Sequence, residues 1–185
     1  MWFQISYCGG DKSVMKRDIQ KVNDDIIEMK RLIKQKLIAD QDILEALNNP
    51  DIPLDSPDEF LDNNIFGFIR IPQTQDTVKN FICFAVDDIE DNRYNSHFKV
   101  QQIQFTCICH LGDMKTKFGI DRHDLLGYLV RDVFNWTNVF GLQFKLVYNK
   151  ESTIDSDYYC RTLKFERDTT NNLNNATRSN RYDRS

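Results

Sequence analysis

The stretch that most limits how this chain can fold is 98–111. There Ile103, Phe105, Cys107, Cys109 and Leu111 alternate with Gln102, Gln104 and Thr106. Successive side chains of a strand point to opposite faces, so the pattern predicts a long strand with one apolar side and one polar side. Such a strand needs neighbours in a sheet and a layer over its apolar face.

Four other stretches supply the neighbours. The run 65–71 (IFGFIRI) is apolar and stops at Pro72. The run 78–86 is nearly all apolar in its second half, as for a strand covered on both faces. Leu142, Phe144, Leu146 and Tyr148 share one side of 142–148. In 158–166, Tyr159, Leu163 and Phe165 oppose Thr162, Lys164 and Glu166. The polar segments 87–96 and 149–157 read as a turn and as a hairpin or loop.

Helices supply the layer. From 12 to about 37, Met15, Ile19, Val22, Ile26, Met29 and Ile33 recur at alternating spacings of four and three. This is an amphipathic stripe that packs on its own sheet or, in a sharper reading, on a neighbouring copy. A short helix is expected over 41–48, ended by Asn48-Asn49-Pro50. The segment 50–64 carries three Pro and five acidic groups and reads as a surface excursion. Asp121, with Asp124 three residues on, predicts a capping-box-like helix start. Leu125, Leu126, Leu129, Val130, Val133 and Phe134 give that helix a wide apolar face, and Gly141 is expected to break it.

The expected fold is therefore α+β: a long N-terminal helix and a second helix packed on a mostly antiparallel sheet. One domain spans 15–168, with an N-terminal extension at 1–14 and a polar, Arg-bearing tail at 169–185. Gly9-Gly10-Asp11-Lys12 is a peptide that a purine-rich ribosome-binding sequence and spacer would encode. Met15 is accordingly a second candidate for the native start. The tail has Arg178, Arg181 and Arg184 against Asp183, and too little apolar surface to fold alone.

Composition narrows the function. A net charge of −4 lacks the basic footprint of a nucleic-acid binder. Five Cys (Cys8, Cys83, Cys107, Cys109 and Cys160) without a CxxC spacing read as reduced thiols in a cytoplasm. Residues 1–10 do not form a convincing signal peptide, and no apolar run approaches membrane-spanning length.

The candidates for chemistry are few. Cys107, Cys109 and His110 have liganding side chains, but alternation sets His110 opposite the two thiols, so buried thiols are the preferred reading over zinc. His123, beside Arg122 and between Asp121 and Asp124, is a weak candidate general base and reads instead as a surface histidine. The acidic runs at 55–62 and at Asp87, Asp88, Glu90 and Asp91 lack EF-hand spacing and read as solvated turns. No catalytic, cofactor-binding or metal residue is assigned. A non-enzymatic protein without cofactor is expected.

The stretch FGIDRHDLLGYLVRDVFNWTNVFGLQFKLVYN, followed by DSDYYCRTLKFE, resembles tail-completion proteins of tailed bacteriophages: the tail terminators and head–tail connector components of the neck. The segment 48–92 and the N-terminal helix resemble the same group, so the likeness covers most of 15–168. The resemblance implies a structural virion protein that forms a ring at the head–tail junction, caps the tail tube and joins it to the head connector. Its partners would be copies of itself, the tail tube, and head-connector or neck proteins. DNA would pass through the lumen without sequence-specific binding, and no membrane is involved. An acidic lumen is expected, because like charge keeps DNA from sticking. The location implied is the virion, after assembly in the bacterial cytoplasm. Alternatives are a portal-side neck adaptor, a generic protein-binding adaptor without a ring, and an enzyme whose polar groups converge only in three dimensions.

Overall fold

The computed structural model describes residues 24–70, 79–91, 98–141 and 143–170. The reading of 1–14, the first half of the long helix (Met15, Ile19 and Val22) and the tail from 171 on lie outside the described residues.

The first described helix, α1 (Asp25–Ala39), begins where Asp24 accepts from the amides of Ile26 and Ile27. Met29, Ile33 and Leu37 are its buried stripe, so the described part of the seam faces its own core. Asp40 ends α1 in extended geometry and caps α2 (Gln41–Leu47) by accepting from Asp42 N and Ile43 N. Asn48 then stops α2 in the left-handed region at φ 49°. Asparagine tolerates that conformation better than most residues. Proline follows two positions on, rather than acting as the stop.

The excursion at 50–64 is not merely surface. A 3-10 turn at Pro57–Phe60 drives Phe60 fully into the core, and Ile52 is buried there too.

Five strands form one mixed sheet in the order β1-β2-β3-β5-β4. They are β1 (Ile65–Phe66), β2 (Phe81–Asp91), β3 (Phe98–His110), β4 (Lys145–Thr153) and β5 (Tyr158–Thr170). Only β1 runs parallel to its neighbour; all other pairs are antiparallel. The fold class is α+β, with three α-helices over the sheet among the described residues.

Several boundaries differ from expectation, each for a physical reason. The strand expected over 65–71 shrinks to two residues, because the chain bends at Gly67, whose carbonyl accepts from Lys30 Nζ. Of the turn expected over 87–96, residues 87–91 instead continue β2, and 92–96 lie outside the described residues. Asp87 and Asp88 pair with Gln102 and Gln101, a bulge follows, and Lys99 Nζ reaches Asp88 Oδ2 at 2.8 Å. Lys99 is itself buried, and Asp88 serves as its counter-charge, with Asp25 of α1 at 3.9 Å.

The helix α3 (Arg122–Phe134) ends well before Gly141. Asn135 Oδ1 accepts from Leu146 N, Trp136 N donates to the Phe144 carbonyl, and Trp136 takes φ 58°. These bonds draw the chain towards β4 and halt the helix. Asp121 does precede α3, but its carboxylate bonds Lys115 rather than the helix amides, so no capping box forms. The expected strand over 142–148 is displaced to Lys145–Thr153, and a bulge between Leu146 and Tyr148 takes Tyr148 off the buried face. The loop expected over 149–157 reduces to a tight turn after Thr153. Likewise, β5 continues to Thr170, past the expected start of the tail.

The core lies between the helices and one sheet face. Ile82, Phe84, Ile103, Phe105, Leu163 and Phe165 meet Ile33, Leu126, Val130 and Phe134 there. Phe105 stacks on Phe134 at 4.8 Å and meets Phe165 edge-on at 5.8 Å. Offset and edge-on pairs of this kind add to what burial alone contributes. Leu111, expected on the same face, leaves the strand for a 3-10 turn and is exposed. The opposite sheet face carries only a small apolar cluster of Phe66, Phe81, Cys83, Ile108, Tyr158 and Cys160.

Candidate functional site

The residues singled out from sequence do not gather at one place. Cys107 and Cys109 are fully buried on the helix side of β3. Burial pushes both thiols up. His110 faces the other way, where its Nδ1 accepts from Gly112 N. Cys83 and Cys160 lie in the cluster on the far sheet face. Among the described residues, no group of three or more His, Cys, Asp or Glu side chains has metal-holding geometry. The acidic run at 55–62 is spread out: Asp58 and Glu59 are exposed on the 3-10 turn, and Asp62 approaches Lys34 at 3.7 Å. The tail arginines Arg178, Arg181 and Arg184 lie outside the described residues.

His123 overturns its sequence reading. It is buried at 3% exposure, not on the surface. It sits in the first turn of α3, which turns it inward against β4. Its Nδ1 lies 3.1 Å from Met114 Sδ. Its Nε2 lies 3.3 Å from Asp124 Oδ1 and 3.4 Å from Glu151 Oε1, yet neither contact is aligned as a hydrogen bond. Arg161 completes the group. Its Nε and Nη2 both reach Asp124 Oδ1 at 2.5 Å, Nη1 donates to Asn149 Oδ1, and Nη2 is 4.0 Å from Glu151. The quartet His123, Asp124, Glu151 and Arg161 thus joins α3, β4 and β5.

Gly127 makes this approach possible. A Cβ there would stand 2.6 Å from Arg161 Cδ. A cleft of about 160 Å³ opens beside the quartet, lined by Gly127, Tyr128, Arg131 and Asn149 as well as Asp124 and Arg161. The sequence offered little signal for this arrangement, because Glu151 and Arg161 come from segments read as loop and strand.

A second polar assembly was equally hidden. Arg122 donates to the Asp113 carbonyl, to Asp113 Oδ1 and to the Ala46 carbonyl. Asp113 also accepts from Asn48 and Asn80, and Asn80 donates to the Leu47 carbonyl. Helix C-termini leave carbonyls without intrahelical partners, and this network satisfies two at the end of α2. It is structural.

Among the described residues, two surfaces beside these assemblies offer room for a partner. One is a groove of about 490 Å³ between α2 and α3, floored by Ala46, Leu125 and Leu129 and lipped by Phe118, which is 63% exposed. Lys117 and Glu45 pair on its rim at 2.6 Å. The other is β4, the outermost strand beyond β5, exposed along almost its whole length. Val147 and Tyr148 are its large exposed apolar side chains. No helix of the described residues is long and apolar enough to cross a membrane.

One family model, described as YomW, matches residues 40–167, from the start of α2 to near the end of β5. The name is a gene name of bacteriophage derivation, which agrees with a phage-related protein at that coarse level. No curated protein matches the chain.

Proposed function

We propose, from the premise that the chain belongs to the YomW family, that it is a non-enzymatic structural protein of a bacteriophage virion. In this reading it forms a ring at the head–tail junction, caps the tail tube and joins it to the head connector. The observation that carries the reading is the edge strand β4, Lys145–Thr153, which has no strand on its outer side among the described residues. An unpaired strand edge is a row of backbone donors and acceptors that another chain can complete. Here the first half is blunted by Lys145 and by the bulge at Leu146/Tyr148, which leaves the second half to pair. We assign its occupant as a second copy of this chain.

A closing ring needs two unlike contact surfaces on each subunit. The edge of β4 is one of them. The sequence resemblance to tail-completion proteins supports the same reading, and the phage-derived family name agrees with its phage association alone.

Mass photometry and negative-stain microscopy of the purified chain, alone and with the tail-tube protein of its phage, test the proposal. Closed rings, or tubes capped at one end, are expected. Rings that bind a portal ring and ignore the tube would move the protein to the portal side of the neck. A monomer that binds neither would overturn the virion reading and leave an adaptor.

A further inference from the structure

We infer that the second contact surface of each subunit is the outer edge of β2 over Ala85–Asp88, which receives β4 of the neighbouring copy as an antiparallel strand. This rests on the reading above that a second copy of the chain occupies β4.

The strand order sets the geometry. β2 is antiparallel to β3, β3 to β5, and β5 to β4. Strand β4 therefore runs opposite to β2, and the two stand at opposite sides of the sheet. Two copies placed side by side in one orientation bring β4 of the first against β2 of the second, with the antiparallel alternation unbroken. On the outer side of β2, β1 pairs with Ile82 and Cys83 alone. Among the described residues no strand borders the rest of β2 there.

The regular stretches of the two edges match. On β2 the stretch starts after Phe84, whose ring Gly67 adjoins, and ends at Asp88, where the bulge begins. On β4 it starts at Asn149, past the bulge at Leu146/Tyr148. With Lys150 set opposite Asp87, Asn149 meets Asp88, Glu151 meets Val86 and Ser152 meets Ala85. Faces agree in this register. Val86 is opposite Ile103 and Asn149 is opposite Leu163, both core residues, so these two point to the helix side. Asp87 and Lys150 point to the other side, where both are exposed. Opposite charges facing each other across a strand pair stabilise it. Asn149, whose Oδ1 is held by Arg161, has its NH2 to donate to Asp88.

Pairing of β4 with its own copy fits less well. A two-fold antiparallel pair sets one residue opposite itself. In the middle of the regular stretch that residue is Lys150 or Glu151, and like charges directly opposite are destabilising. Such a pair also closes at two subunits.

Disulfide trapping tests the inference in the full chain carrying Cys8→Ser, because Cys83, Cys107, Cys109 and Cys160 are buried. Both this chain and the parent should assemble by mass photometry. Asp87→Cys and Lys150→Cys are then made separately in it, mixed and mildly oxidised. Facing residues of an antiparallel pair stand about 4.5–5.5 Å apart at Cα, within reach of a disulfide. The mixed dimer is expected on a non-reducing gel, and neither variant alone should cross-link. Asp87→Lys should weaken assembly about tenfold, and adding Lys150→Asp to the same chain should restore it. An assembly without the mixed dimer overturns this inference and leaves self-assembly standing; Lys150→Cys homodimers would then mark β4 against its own copy. A parent chain that stays monomeric overturns the self-assembly reading itself, and this inference with it.

Discussion

Arg122 and Asp113 are joined twice, through Nε to the Asp113 carbonyl at 2.7 Å and through Nη2 to its carboxylate at 3.0 Å. The pair stands between the end of α2 and the start of α3, and it carries the carbonyl of Ala46 with it. Removing one member of a buried pair leaves the other charge without a partner. Arg122→Ala is therefore expected to cost about 3 kcal/mol. Urea unfolding should show a lower midpoint with an unchanged slope.

Gly127 illustrates two effects of opposite sign. Alanine in a helix interior is worth about 1 kcal/mol over glycine. At Gly127, however, the new methyl would strike the stem of Arg161, at 2.6 Å from Cδ and 3.2 Å from Cγ. These are mid-chain atoms that cannot move without loosening the bond to Asp124. Gly127→Ala is expected to destabilise by about 1 kcal/mol in the parent chain and to stabilise by about 0.5–1 kcal/mol in an Arg161→Ala background. A double-mutant cycle by chemical denaturation reads the difference directly.

The three N-caps are not equivalent. The carboxylates of Asp24 and Asp40 each accept two backbone amides, whereas the carboxylate of Asp121 accepts none and is spent on the exposed Lys115. Asp40→Ala is expected to cost about 1 kcal/mol, the usual worth of an N-cap. Asp121→Ala should stay within about 0.5 kcal/mol, as for an exposed ion pair. Thermal unfolding of the two variants side by side checks the ranking.

Cys107 and Cys109 link stability to alkaline pH. Their thiols are pushed up by burial, so the folded chain keeps those protons while the unfolded chain releases them above about pH 8.5. Where the unfolded state binds fewer protons, stability falls as pH rises. The expected limiting slope is about 1.4 kcal/mol per pH unit for each thiol. Denaturation between about pH 8 and pH 10 should show it. Cys107→Ala should remove one thiol's share of the slope, whatever it does to the absolute value.

The parts of this fold legible in the sequence are those governed by a single period. Ile103, Phe105, Cys107 and Cys109 fall on one face because strand alternation leaves no other choice, and the stripe Met29, Ile33 reads as helix for the same reason. The boundaries were not legible where a distant partner sets them. Asp87 and Asp88 look like turn residues until Lys99, buried beside them, needs a counter-charge. Helix α3 looks as if it should run to Gly141 until Asn135 and Trp136 are claimed by Leu146 and Phe144. The quartet around His123 was the least accessible, because its members sit on three elements and Glu151 lies in a stretch whose polarity resembles a loop. Composition separates a solvated carboxylate from one facing a buried imidazole only after the strands are paired.

The pairing of β3 with β5 also has a bearing on how the chain reaches this state. Every residue of β3, from Phe98 to His110, is matched to β5, from Thr170 to Tyr158. All of α3 and β4 lies between them in the chain. The strand pairs β2–β3 and β4–β5 each join consecutive segments and can form early. The seam that unites them has to wait for a long loop to close. Search time is therefore concentrated at one join, and domains dominated by such non-local pairing fold on the slower scale of milliseconds to seconds. Until that join is made, the β5 edge of one pair and the β3 edge of the other are both open to strangers, so crowding of nascent chains is the hazard this topology carries.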